Sequence, residues 1–189
     1  DGRKVLSIGD FVFSHHAEIN RVTIPDGVLV IGPSAFEYCE NLKSVTIPHG
    51  LTDVLEYAFY GCTELKSVII PYSVTNISDY ALGYYSDNGQ LNKVDSFKIY
   101  CYSGTAGERY AKDNGFDYEL ISCTNHQFSG WNITKAATCT ATGTKARTCT
   151  ICGKTEIATI AKSAHKYVNT VVKPTYTAQG YTLHKCSVC

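Results

Sequence analysis

Cysteine and histidine are the residues of this chain best suited to chemistry, and they crowd toward one end. Cys39, Cys62, Cys101 and Cys123 are scattered, whereas Cys139, Cys149, Cys152, Cys186 and Cys189 fall close together, with His126, His165 and His184 among them. Three readings of this cluster stay open. In the first, Cys149-x-x-Cys152 is a two-ligand knuckle for zinc, completed by Cys139 and by His126 or His165. A second knuckle, Cys186-x-x-Cys189, has His165 or His184 to draw on, and Tyr176 stands where Cys139 would repeat. In the second reading, Cys123, Cys139, Cys149, Cys152, Cys186 and Cys189 supply disulfides, which persist in oxidising compartments. Cys123 and Cys139 are both missing from the second copy of the pattern, as a bonded pair would be. The third reading is free thiols. Nine cysteines cannot all pair within one chain. Structural zinc is the one cofactor the pattern offers, and under every reading the cysteines staple a fold whose core is small.

Catalysis finds little footing. A Cys/His nucleophile needs a thiol and a base held together for that purpose, but each candidate here occupies a repeated position or a knuckle. His15 and His16 fall in a repeat column as surface or capping residues. No H-E-x-x-H, G-x-S-x-G or Gly-rich phosphate loop occurs. The expectation is a chain that is not an enzyme.

The elements that must position these residues come in two kinds. Up to residue 123 there are nine Lys and Arg against sixteen Asp and Glu; after it, eight against one, Glu156. An acidic module of net −7 therefore precedes a basic one of net +7. The basic part repeats internally. Thr138, Ala141, Gly143, Arg147, Cys149 and Cys152 return 37 residues later as Thr175, Ala178, Gly180, His184, Cys186 and Cys189, and His126 returns 39 residues later as His165. Residues 123–160 form one Cys/His module and 161–189 a second. The strand-rich runs between Gly turns predict small all-β ribbons.

The acidic part repeats every 23 residues. Val22-Thr-Ile-Pro25 returns as Val45-Thr-Ile-Pro48 and Val68-Ile-Ile-Pro71, with Ala35-Phe36, Ala58-Phe59 and Ala81-Leu82 in step. Such a period predicts a β-rich solenoid. Alternation puts Val45 and Ile47 inside and Thr46 on an open sheet face, and Pro48 ends the strand. Cys39 and Cys62 recur in step with these columns and read as small buried residues. The coils run over about 1–21, 22–44, 45–67 and 68–102, the last interrupted by a polar insertion near 84–90. A short helix within 104–115 and a strand over 116–121 predict a small α/β cap, placing the whole solenoid at 1–122. The chain opens at Asp1 without Met or an apolar leader, which reads as a piece of a larger polypeptide or assembly. No apolar run is long enough to span a membrane.

The unit V-T-I-P-x-x-V-x-x-I-G-x-x-A-F-x-x-C-x-x-L-K-S resembles the BspA-type leucine-rich repeat of bacterial surface proteins, most closely over residues 1–83. Leu55 departs from it at the Gly32 position and Leu82 at the Phe position. The tail modules resemble the His/Cys repeats ending in C-x-x-C-G that follow leucine-rich repeats in surface proteins of gut anaerobes. The resemblance implies a secreted or cell-surface protein that binds partners without enzymatic activity. The open strand face then carries the candidate binding residues Arg21, Thr23, Ser44, Thr46, Ser67, Ile69, Lys98 and Tyr100, for a protein or glycan partner at the cell surface. The alternative is an architectural spacer or stalk whose basic tail associates with anionic cell-wall polymer. Nucleic acid is the weaker partner, since no stripe of Arg accompanies Trp131.

Overall fold

Residues 23 apart in sequence sit side by side in the computed structural model, which describes residues 6–189. Ser7–Ile8, Val30–Ile31, Asp53–Val54 and Asn76–Ile77 pair in parallel, in that order, as one sheet. On another side of the coils, Arg21–Thr23 pairs in parallel with Ser44–Thr46. Ser67–Ile69 pairs likewise with Lys98–Cys101, and that strand with Asp117–Leu120. The chain up to the cap is thus a β-solenoid with the 23-residue period read from the sequence.

A third side of each coil is made of turns, and it too is laced to the next coil. Phe11, Ser34, Tyr57 and Tyr80 all have positive φ, between 53° and 57°, which tilts alternate N–H groups toward the following coil. The N–H groups of Ser34, Phe36 and Tyr38 donate to the carbonyls of Glu56, Ala58 and Tyr60, as those of Phe11, Phe13 and His15 do to Pro33, Ala35 and Glu37. Turn bonds such as Ala35 N–H to the Gly32 carbonyl close within a coil, but the strands and these alternate N–H groups bond across coils, so each coil depends on its neighbours. The side chains stack by the same rule. Phe13, Phe36 and Phe59 form a column with ring centroids 5.1 Å apart at each step. Ile24, Ile47 and Ile70 form another, and Leu42 and Leu65 a third, all buried.

The polar insertion is a hairpin, Tyr84–Asp87 against Gln90–Lys93. Asn88 and Gly89 turn it with both φ values positive, 49° and 77°, the conformation that Asn-Gly favours between two strands. It lengthens the coil, so Lys98 pairs with Ser67 31 residues earlier instead of 23. The cap follows as the helix Ala106–Asn114, stopped by Gly115 in the left-handed conformation. Ala106, Tyr110 and Ala111 are buried against the last coil.

The described residues divide into two units. One runs to Gln127 and includes Thr150–Gly153; the other comprises Phe128–Cys149 and Lys154–Cys189. The second unit contains an antiparallel sheet in the order Asn132–Lys135, Gly143–Thr148, Thr155–Ile160, and a separate hairpin, Tyr167–Val172 with Tyr181–Cys186. Its core is minimal: among the described residues, Cys139 and Cys149 are its only buried apolar side chains.

Candidate functional site

Strand pairing sets the candidate binding residues in two outward rows. Arg21 lies beside Ser44, and Thr23 beside Thr46. Farther along, Ser67, Lys98 and Asp117 are neighbours, as are Ile69, Tyr100 and Glu119. Val22 and Val45, between the rows, pack against the core, and Val68 and Ile99 lie within it. Ile69 is 57% exposed, an apolar side chain beside the ring of Tyr100. Lys98 sits over that ring, 5.2 Å from its centroid, and pairs with Glu119 at 2.7 Å. Asp117 and Glu119 extend the rows by one strand; the alternation over 117–120 was the signal for them in the sequence.

The solenoid cysteines are built for packing. Cys39 and Cys62 are buried, and their thiols donate to the carbonyls of Phe13 and Phe36 in the preceding coil, at 3.1 and 3.2 Å. Burial pushes both thiols up, and Cys101 to about 11, so they stay protonated near neutrality and make poor nucleophiles. His16, which takes the Cys39 position in the first described coil, is exposed and bonds Glu18 at 2.6 Å.

The tail cysteines gather into Cys/His groups. In the first unit Cys123, His126 and Cys152 each bring one ligand atom within 4.8 Å of the others, and the Cys152 sulfur stands 3.3 Å from Nδ1 of His126. The C-x-x-C spacing offers Cys149 as the fourth. Gly153 ends this turn at φ +74°, with the ring of Tyr72 where a Cβ would stand. In the second unit Cys139, His165, Cys186 and Cys189 converge in the same way. Here the Cys139 and Cys186 sulfurs are 3.8 Å apart, and Cys189 is 3.5 Å from Nδ1 of His165.

This grouping divides the sequence candidates differently from their spacing. Cys139 joins His165 and the second knuckle, not Cys149 and Cys152. His126 is the histidine beside Cys152. Cys123, read from the sequence only as a disulfide partner, stands with a histidine and belongs to a different group from Cys139. Cys123-x-x-His126 mirrors the knuckle spacing, and that was its signal. His184 bonds Asn169 across the hairpin at 2.6 Å.

The electrostatics of the second group suit a cation. The Cys186 thiol is drawn down to about 5, first by the N–H of Val188 and then by His165. Cys189 is pushed up to about 12, first by its hydrogen bonds with Cys139 and Cys186. One thiolate forms readily and the next is resisted, a conflict that a bound dication removes.

Stacked coils, columns of Ile, Leu and Phe, and parallel sheets along the stack define a leucine-rich-repeat solenoid. The chain belongs to the BspA-type leucine-rich repeat family, whose model matches residues 6–111 in six copies. A search of curated proteins finds no match. Among solved structures it is similar to a leucine-rich cell surface protein of Faecalibacterium prausnitzii, with 30% identity over 45% of this chain and 26% of that one, TM-score 0.38. It is also similar to a leucine-rich repeat protein of Bacteroides ovatus, with 25% identity over 51% of this chain and 35% of that one, TM-score 0.37. A T. pallidum leucine-rich repeat protein is 19% identical over 65% of this chain and 83% of that one, TM-score 0.39. The chain therefore matches about a quarter of the first relative and a third of the second. No helix of the described residues is long and apolar enough to cross a membrane.

Proposed function

We propose that the chain is a non-enzymatic recognition module displayed at the cell surface, taking a protein or glycan partner on the open strand face of its solenoid. One observation carries the reading: the outward positions of two parallel strand groups, Arg21–Thr23 with Ser44–Thr46 and Ser67–Ile69 with Lys98–Cys101, present polar side chains beside an apolar and aromatic pair, Ile69 and Tyr100. Such a surface gives a partner extended backbone-spaced contacts with one desolvating anchor. Membership in a repeat family of surface proteins and the protonated, packed solenoid thiols agree with it. The test is a screen of the protein against matrix proteins, glycans and wall polymers, repeated with Ile69→Arg and Thr46→Arg. Loss of at least ~10-fold in affinity is expected for Ile69→Arg, given what a central anchor contributes. Unchanged binding in both variants places the interaction elsewhere and overturns the reading.

The tail favours a second, compatible role as a wall-associating stalk. Lys135, Lys154, Lys162, Lys166, Lys173 and Lys185 are all exposed, and Glu156 is the sole acid after residue 123. Binding to anionic wall polymer that weakens steeply with salt supports this role, and salt-indifferent binding opposes it.

For the Cys/His groups we read structural zinc. The second group offers three sulfurs and one imidazole, and the Cys149-x-x-Cys152 spacing would give the first the same set; a disulfide would use two sulfurs and leave the histidine idle, whereas a tetrahedral ion uses all four. Zn–S bonds of about 2.3 Å put tetrahedral sulfurs roughly 3.8 Å apart, the separation of Cys139 and Cys186. Metal analysis and a free-thiol count on the purified protein test this, and few thiols with no metal refutes it.

A further inference from the structure

We propose that the ion held by Cys139, His165, Cys186 and Cys189 is a clamp between the two tail repeats, because one of its ligands comes from the first repeat and three from the second. The proposal rests on the zinc reading above. His165 precedes the hairpin Tyr167–Val172/Tyr181–Cys186, while Cys186 and Cys189 follow from its other strand. Tyr167 pairs with Cys186, so all three of these ligands sit at the open end of the hairpin. The turn lies at the far end.

Among the described residues, the strands of that hairpin pack against no other strand or helix. Every residue of its two strands is exposed except Cys186, and an isolated two-stranded hairpin is marginal in water. Its second copy of the sequence pattern also lacks a ligand: Lys162 stands where the first repeat has Cys123. Cys139 fills the vacancy from the loop that joins Asn132–Lys135 to Gly143–Thr148. The loop is built to present it. The Thr138 hydroxyl accepts from the N–H groups of Thr140 and Ala141, and the Thr138 N–H donates to the carbonyl of Ala141. The chain leading to His165 is tied to the same loop, since the N–H of Ser163 donates to the Thr138 carbonyl at 3.0 Å.

The remaining ligands are oriented independently of any ion. The Val188 N–H points at the Cys186 sulfur, 3.5 Å away, and Ser187 anchors the knuckle by donating from its N–H to the Lys166 carbonyl. The His165 ring stacks on Tyr167. These contacts are the kind that fix a ligand set around a metal. Cys139 is the buried member and the one that crosses between repeats.

The test uses the whole chain, stripped of metal and titrated with zinc or cobalt(II) alone. Wild type is expected to take two ions, and Cys139→Ser to hold one tightly while the other weakens by more than ~100-fold, since loss of a ligand exceeds the effect of losing a supporting contact. Amide exchange should rise across 167–172 and 181–186 in Cys139→Ser and stay unchanged over 132–135, 143–148 and 155–160, with the solenoid amides as the folding control. Cys139→His should restore the second ion, with a cobalt(II) spectrum showing one sulfur fewer. Two ions of unaltered affinity and an unaltered hairpin in Cys139→Ser overturn the clamp and leave the zinc reading standing. No ion bound by wild type overturns both.

Discussion

The hydroxyl of Tyr110 makes two hydrogen bonds to the backbone of a single residue, Leu82: it accepts from the Leu82 N–H at 3.1 Å and donates to the Leu82 carbonyl at 2.9 Å. Both groups are buried, and the pair fastens the cap helix to the fourth coil where its interior would otherwise be exposed. Tyr110→Phe preserves the ring and strands a buried N–H and a carbonyl. The expected cost is about 2–3 kcal/mol, read as a lowered denaturation midpoint. Amide exchange should rise first over 106–120. A midpoint within ~0.5 kcal/mol of wild type would show that water satisfies Leu82 and that the hydroxyl is dispensable.

The thiols fall into two populations with different chemistry. Cys39, Cys62 and Cys101 are buried in the solenoid with burial raising all three, Cys101 to about 11. In metal-free protein at pH 8, an alkylating reagent is expected to label them at least ~100-fold more slowly than the more accessible Cys123, Cys152 and Cys186, because both thiolate fraction and access are reduced. Mass spectrometry of the labelled chain counts them, and denaturant should release all three together. Rapid labelling of Cys62 in the folded protein would contradict its place in the column.

Much of this architecture was legible because the repeat states it several times. Val45 inside and Thr46 outside follow from alternation, and the 23-residue offset gives the pairing register directly. The hairpin at 84–93 was legible in principle from Asn88-Gly89, but a single copy of a turn signal inside a repeat reads only as an interruption. The left-handed corner at Phe11, Ser34, Tyr57 and Tyr80 was hidden, since none of these residue types announces positive φ. The Cys/His grouping was hidden for another reason. Ligand sets depend on which loops meet, and the local repeat invites pairing Cys139 with its own knuckle. The chain instead lends it to the following repeat.

Glu108 ties the start of the cap helix. One carboxylate oxygen accepts from the Gly104 N–H and the other from Lys112, each at 2.6 Å. Lys112 first, and then the Gly104 N–H, lower its pKa. A carboxylate whose folded value is lowered stabilises the fold above its unfolded pKa of about 4.3 and loses that contribution as pH falls through the lower folded value. Glu108→Gln should therefore be less stable than wild type at pH 7, with the difference shrinking below about pH 4. Paired thermal melts across that range check it, and a gap that widens in acid would reverse the sign of the argument.

In the second unit the guanidinium of Arg147 lies between two rings, 4.5 Å from the Phe128 centroid and 4.7 Å from that of Trp131. It also pairs with Glu156 on the neighbouring strand at 2.7 Å. With so few apolar side chains buried nearby, this stack substitutes for a core: the planar cation covers both ring faces while its fork holds the carboxylate. Lysine supplies the charge without the plane or the fork. The ion pair is partly exposed and screened, so most of the loss comes from stacking, at roughly 0.5–1 kcal/mol per ring. Arg147→Lys should cost about 1–2 kcal/mol in this unit, and Arg147→Ala somewhat more. Trp131 is the only tryptophan in the chain, so its fluorescence reports this unit's unfolding separately from the solenoid. The Trp131 transition should move to lower denaturant in Arg147→Lys while the far-ultraviolet signal of the solenoid stays in place. Coincident shifts in both signals would mean that Arg147 acts beyond its own sheet.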